Sequence, residues 1–107
     1  MTDKDKLISD AFQLFMTESP EHAQAWMEVT RRLADASALD TKTQVLAYLA
    51  VLAALRLESG LPFHVVHARE AGASREEVIS AILVGLPAAG NVVTQALPAA
   101  IQAYDAW

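Results

Sequence analysis

The stretch from Val45 to Leu55 reads VLAYLAVLAAL and holds no charged residue in eleven positions. A run of this length is too short to cross a bilayer as a helix, which takes about 20 residues. Because it is apolar on every face of a helix, it predicts a central helix buried on all sides. We predict that this helix begins with Asp40 as its N-cap and runs to about Glu58, a length of roughly 28 Å.

The rest of the sequence shows helical spacing of apolar residues, and no segment alternates with the period of a strand. It predicts an all-α fold of about six helices in a single domain, residues 1–107. Thr2 is a candidate cap for a first helix that ends near Thr17. The triplet Ser19-Pro20-Glu21 is a helix start, with Ser as cap and Pro in the first turn, and that helix should end near Ala36.

Two local signals mark the ends of the helices that follow. The fourth helix should begin near Pro62 and stop at Gly72, where glycine suits a left-handed C-terminal residue. Ser74 and Glu77 have the spacing of a capping box for the fifth helix, the serine bonding forward and the glutamate bonding back.

In the C-terminal third the signals for helix starts and ends are weaker. The fifth helix should fray towards Pro87 and Gly90. Asn91 is a candidate cap for a last helix, in which Pro98 should produce a kink.

The composition is unusual for a chain of 107 residues, with 53% hydrophobic residues and only 20% charged ones. A small monomer has too little interior to hide that much apolar surface. We therefore expect a homo-oligomer, in which part of the surface faces other copies of the chain.

Charge and cysteine content exclude several classes of function. The net charge is −5 and the basic residues are scattered, so no stripe exists to bind the phosphates of nucleic acid. The chain has no cysteine, which excludes disulfides, thiolate metal sites and thiol chemistry carried by this chain. The polar start MTDKDKLISD is not a targeting segment, and we expect a cytoplasmic protein without a membrane partner.

Two histidines, His64 and His67, lie three residues apart on the predicted fourth helix. His64 falls inside the apolar stripe, either as a general acid or base in an apolar pocket or as a core histidine bonded to a backbone carbonyl. His67 falls at the edge of the stripe, and we favour a surface or subunit contact for it. A zinc site takes three or four ligands, and Glu70 lies too far round the helix to join them. We therefore predict no metal.

Three stretches carry a resemblance to a known family: LDTKTQVLAYLAVLAAL, FHVVHAREAGASREEVISAIL and PAAGNVV. Family members share the first stretch, and they have a histidine seven residues before an A-G-A-[ST] turn, as His64 stands before Ala71. Over residues 39–97 the chain resembles the carboxymuconolactone decarboxylase family, which includes the alkyl hydroperoxidase D-like proteins. The resemblance implies an all-helical fold around a helical hairpin, assembled as a homotrimer or homohexamer.

The resemblance also implies a degenerate active site. The peroxidase branch of the family has two cysteines and a glutamate before the histidine. Here those places hold Leu57, Gly60 and Val45. Without the cysteines, peroxide reduction by a thiol is excluded. The decarboxylase branch often has a glutamate four residues before the histidine, again the place of Gly60.

Two functions remain open. The first is a cofactor-free enzyme of this family in which His64, behind the family-like string LPFH that includes Phe63, transfers protons on a small carboxylate or lactone. Arg56 would then hold a substrate carboxylate, although it is more simply a base at a helix C-terminus. Asn91 would donate a hydrogen bond to the ligand, although we favour its role as a cap. The second function is a catalytically silent oligomeric binding or scaffold protein of the same fold.

Overall fold

A computed structural model describes residues 4–107, which form two compact units. The first unit ends at Asp40 and the second begins at Thr41. All regular structure in the described residues is helical, as the sequence predicts.

The first unit is a helical hairpin. A short 3₁₀ helix, Lys4–Leu7, precedes α1, Asp10–Glu18, and α2, Pro20–Ala36. The start predicted for the first helix at Thr2 lies outside the described residues. Instead α1 begins at Asp10, because the hydroxyl of Ser9 accepts a hydrogen bond from the Phe12 amide at 3.2 Å.

The bounds of α2 agree with the sequence prediction, but its cap differs. Pro20 occupies the first turn, as expected. The hydroxyl of Ser19, however, lies 2.5 Å from Nδ1 of His22 and makes no capping bond to the helix backbone. The helix start therefore depends on proline and backbone geometry rather than on the serine hydroxyl.

The second unit contains the hydrophobic core. Its α-helices are α3, Thr41–Ala54; α4, Leu61–Glu70; α5, Arg75–Leu83; α6, Leu86–Ala89; and α7, Leu97–Ala106. Two 3₁₀ helices, Glu58–Gly60 and Gly90–Ala96, connect them. The fully enclosed side chains come from all the longer helices: Leu49, Leu61, Val65, Val78, Ile82 and Val93, with alanines at 53, 68, 96 and 100.

α3 is buried on one side only. It packs against α4 and α5 through Val45, Leu49 and Leu52. On the opposite side Tyr48 and Val51 remain 47% and 51% exposed. The prediction of a central buried helix therefore holds for the side that faces α4 and α5, and the helices of the second unit leave the other side uncovered.

α3 ends earlier than predicted, at Ala54 instead of Glu58, in a left-handed turn at Arg56 with φ 61°. The Leu57 amide donates to the Leu52 carbonyl at 2.9 Å, and the Arg56 amide donates to the Ala53 carbonyl at 3.3 Å. This is the Schellman arrangement, whose left-handed residue is usually glycine. An arginine there carries a backbone strain that glycine lacks.

The turn between α4 and α5 forms as the sequence predicts. Gly72 takes φ 98° after α4, and the Ala73 amide donates to the Ala68 carbonyl at 2.9 Å. The capping box is complete: Ser74 Oγ accepts from the Glu77 amide, and Glu77 Oε1 accepts from the Ser74 amide. The ammonium of Lys42, 2.8 Å away, lowers the pKa of Glu77, as does the Ser74 amide.

The C-terminal third differs from the prediction. Asn91 lies inside the 3₁₀ helix Gly90–Ala96 and caps no α-helix. Its carbonyl accepts a hydrogen bond from the Thr94 hydroxyl at 2.8 Å. Pro98 makes no kink, because α7 begins at Leu97 and proline fits the first turn.

The stretch 75–106 is long and apolar enough to cross a membrane by length and composition. In the structure it is broken at Gly85 and at Gly90, whose φ is 81°, and its longest α-helix has ten residues. A helix of that length is about half of a membrane span.

Arg56→Gly should raise the free energy of unfolding by about 0.5–1 kcal/mol, because glycine adopts the left-handed conformation without the clash of a Cβ. Urea unfolding followed by circular dichroism measures the change. Arg56→Ala is the matched control, since it removes the guanidinium and keeps the strain. Equal stability of the two variants would contradict the strain argument.

Candidate functional site

His64 lies in the first turn of α4, half-buried between two aromatic rings. Its ring centroid is 4.7 Å from that of Tyr48 on α3, with the planes inclined by 56°. The ring of Phe63 meets it edge to face at 5.3 Å. Both rings contact the imidazole at distances typical of aromatic pairs.

Gly60 leaves room beside the imidazole. A Cβ built on Gly60 would lie 4.0 Å from Cδ2 of His64 and 3.8 Å from the methyl groups of Leu52, ordinary contact distances. The backbone at Gly60, with φ −86° and ψ −11°, suits any residue. A Cβ at this position would therefore contact His64 and Leu52 without displacing either.

The surroundings of His64 favour its neutral form. Burial lowers the pKa of the imidazole from its ordinary 6.5, and the nearby His67 lowers it further. Among residues 4–107 no group hydrogen-bonds to the His64 ring, and the backbone carbonyl expected for a core histidine is not there. Both effects favour the uncharged imidazole, in which one ring nitrogen has a lone pair that can accept a proton.

The other three candidates for substrate binding lie in different surroundings. Phe63 touches His64, as described. The guanidinium of Arg56 is exposed and donates from Nε to Glu58 Oε1 at 3.1 Å, with no hydrogen bond to His64. The side chain of Asn91 is exposed on the 3₁₀ helix, without a hydrogen bond to the His64 ring. The roles predicted for Arg56 and Asn91 in binding substrate stay predictions.

Metal ligands do not cluster in the part of the chain that the structure describes. No three side chains among its histidines, aspartates and glutamates come together as a metal site requires. His67 is half-buried on α4, one turn after His64.

Two shallow surface concavities lie on the first unit. One, of about 330 Å³, is an apolar groove between α1 and α2 lined by Phe15, His22, Ala25, Trp26 and Val29. The other runs along α2 past Met27 and Arg31. Neither contains His64, so a closed pocket around that histidine stays a prediction.

Tyr48 is the site residue that sequence reasoning missed. The sequence prediction treats Tyr48 only as part of an apolar helix, although it is the one side chain in VLAYLAVLAAL with a hydroxyl group. That hydroxyl was an available signal, because a tyrosine in a run of aliphatic residues needs a polar surrounding for its oxygen.

These observations define the class: an all-helical, cysteine-free protein with a half-buried histidine near the start of a core helix. The model of the carboxymuconolactone decarboxylase family matches residues 20–102, more than three quarters of the chain. The chain belongs to this family. Searches of curated proteins and of solved structures found no significant match.

Gly60→Glu should raise the pKa of His64, because it brings a carboxylate to a ring whose pKa burial now lowers. Gly60→Gln is the matched control, with the same size and no charge. NMR titration of the imidazole Cε1 proton measures the pKa in all three proteins. An equal pKa in the glutamate and glutamine variants would show that the side chain at position 60 does not reach His64.

Proposed function

We propose that this protein is a cofactor-free enzyme of the carboxymuconolactone decarboxylase family in which His64 is the proton-transfer group. Its substrate is a small carboxylate or lactone bound in an apolar pocket beside Tyr48 and Phe63. The neutral imidazole takes a proton from the substrate, and the resulting imidazolium returns it at a later step.

The observation that supports this most is the setting of the His64 ring. It packs against the rings of Tyr48 and Phe63, at 4.7 Å and 5.3 Å between centroids. None of the polar side-chain atoms enclosed within residues 4–107 lacks a partner, so the ring nitrogens of His64 are open to solvent. A ligand with a polar atom can therefore reach them.

Arg56 supports a carboxylate ligand. It occupies a left-handed position that glycine would fill with less strain. Non-glycine residues held in such conformations cluster at functional sites. The guanidinium is bound by one hydrogen bond to Glu58 and is 51% exposed, so it has further N–H groups to offer a carboxylate.

The second candidate function is a catalytically silent binding or scaffold protein. What favours it is the loss of reactive groups at three positions of the resemblance: Gly60 carries no side chain, and Val45 and Leu57 carry no polar group. An imidazole that acts alone has no group to orient it or to share its proton.

We further propose that the protein works as a homotrimer or homohexamer in the cytoplasm, with no nucleic-acid or membrane partner. Exposed large apolar side chains on α2, α3 and the turn after α5 support assembly. The net charge of −5 and the short helices of residues 75–106 support the absence of the other partners.

His64→Gln should lower kcat by about 100-fold or more, because a general base contributes at least that factor. The assay follows carbon dioxide release and proton exchange with a panel of small lactones and carboxylates, beginning with carboxymuconolactone. His67→Gln, one turn further along α4, is the matched control and should keep full activity.

Two results would favour the silent alternative. One is a His64→Gln protein as active as the parent. The other is a parent protein with no turnover and no ligand-induced shift of the His64 NMR signal across the panel.

The activity should fall as the pH drops through the pKa of His64. The base must be uncharged, and burial keeps the pKa below 6.5, so activity should be full at neutral pH and lost only on the acid side of 6.5. A profile of kcat/KM against pH measures this. In Gly60→Glu the fall of kcat/KM on the acid side should move to higher pH. If it does not move, a group other than His64 causes the fall.

A further inference from the structure

The two tyrosines of the chain use their hydroxyl groups differently. The hydroxyl of Tyr104, on α7, donates a hydrogen bond to the backbone carbonyl of Ala73 at 2.9 Å and ties α7 to the turn before α5. The hydroxyl of Tyr48, on α3, makes no hydrogen bond to any group among residues 4–107, and this residue is 47% exposed. The oxygen of Tyr48 is therefore available to a ligand that enters from solvent.

The hydrophobic core holds the backbone beneath Tyr48 in place. The next residue, Leu49, is buried, and so are Val45 and Leu52, which lie one helical turn away on either side. A group carried by a helix that is fixed in this way is placed more precisely than a group on a loop. The ring of Tyr48 thus has a defined position at the edge of the core.

The side of α3 that carries Tyr48 leads to the glycine at position 60. Leu52 follows Tyr48 by four residues, which places the two on the same side of the helix. A Cβ at Gly60 would lie 3.8 Å from the methyl groups of Leu52 and 4.0 Å from Cδ2 of His64. These four residues therefore line one junction between α3 and the start of α4.

Tyr48 and His64 are close enough to act on one small ligand. Their ring centroids are 4.7 Å apart. Because the oxygen of a tyrosine is fixed about 3 Å from the centre of its ring, it lies no more than about 8 Å from the centre of the imidazole. With a hydrogen bond of about 3 Å at each end, a ligand of a few bonded atoms can contact both groups.

The reaction proposed for His64 needs a second group. When the imidazole takes a proton from a carbon beside a carbonyl group, the electron pair of the broken C–H bond moves to the carbonyl oxygen, which becomes negative. Hydrogen-bond donors aimed at such an oxygen are usually the largest single contribution to catalysis. Among residues 4–107, two aromatic rings contact His64, and only that of Tyr48 carries a donor, because Phe63 has no polar atom in its side chain.

We propose that Tyr48 is a second catalytic residue of the candidate site, whose hydroxyl donates a hydrogen bond to the carbonyl oxygen of the substrate while His64 takes the proton. The bond strengthens as the oxygen becomes negative and weakens when the imidazolium returns the proton to carbon. Tyr48 keeps its own proton throughout. This inference rests on the proposed function of His64 and adds the group that stabilises the negative charge.

The first test removes the hydroxyl and nothing else. Tyr48→Phe should lower kcat about 100-fold, since one donor to an oxyanion contributes at least that factor, and it should change KM little because the bond is strongest in the transition state. The assay is the panel of lactones and carboxylates used for His64→Gln. Tyr104→Phe is the matched control, because it removes the other tyrosine hydroxyl and should keep the kcat of the parent.

The second test separates a direct role from an effect through the histidine. Tyr48→Phe keeps an aromatic ring beside the imidazole, so NMR titration should give the same pKa for His64 as in the parent. A changed pKa of His64 together with the loss of kcat would show that the hydroxyl acts through His64. That result would overturn the direct role.

The third test observes the contact itself by fluorine NMR. The chain has two tyrosines, so Tyr104→Phe grown with fluorotyrosine carries the label at position 48 alone. Combined with His64→Gln, which prevents turnover, this protein is titrated with the panel compound that has the highest kcat/KM for the parent. The fluorine signal should shift as the compound binds. A signal that stays in place at saturation would overturn the proposal.

The activities of the variants separate this inference from the proposed function. Full activity of Tyr48→Phe and loss of activity in His64→Gln would overturn the role of Tyr48 and leave that of His64 standing. Full activity of both variants, or no turnover by the parent across the panel, would overturn both roles. A loss of kcat in Tyr104→Phe as large as that in Tyr48→Phe would show a general effect on the fold and would overturn the assignment to Tyr48.

Discussion

A helix that is apolar on every face needs neighbours on every side, and α3 has them on one side only within the second unit. Val45, Leu49 and Leu52 face the core, where α4 and α5 cover them. The helices available to cover the rest are short, between four and ten residues. Large side chains on the uncovered side of α3, such as Tyr48 and Val51, therefore stay exposed.

The core that α3 does have combines alanines with larger aliphatic side chains. Alanines at 53, 68, 73, 96, 100 and 103 are buried, and between them lie leucines, valines and Ile82. Tyr48 lies outside this core, on the side of α3 where its ring meets the half-buried ring of His64. The candidate site therefore lies at the edge of the core rather than inside it.

Local signals in the sequence predicted those parts of the fold whose energetics are local. The capping box at Ser74 and the left-handed turn at Gly72 involve neighbours within a few residues, and both form as expected. A proline such as Pro98 fits either a kink within a helix or the first turn of a new helix. The structure has the first turn of α7 at this proline, and Val93 and Ala96 just before it are buried in the core. Such a choice depends on tertiary packing and is not encoded nearby.

The candidate site divides in the same way. His64 and its neighbour Phe63 were predicted from the sequence, since both belong to one helical turn. Tyr48 was missed because its ring contact with His64 depends on how α3 lies against α4. In a helix that is apolar on every face, the spacing of apolar residues does not indicate which side stays exposed. The left-handed backbone of Arg56 was missed because a non-glycine residue there gives no warning in the sequence.

Burial of the imidazole and the chemistry proposed for His64 act on the same quantity, the stability of a positive charge on the ring. Burial disfavours the imidazolium. In the proposed reaction a substrate carboxylate would offset the cost of that charge at the moment the base accepts its proton. With glycine at position 60, His64 would obtain its counter-charge from the ligand and not from a neighbouring side chain.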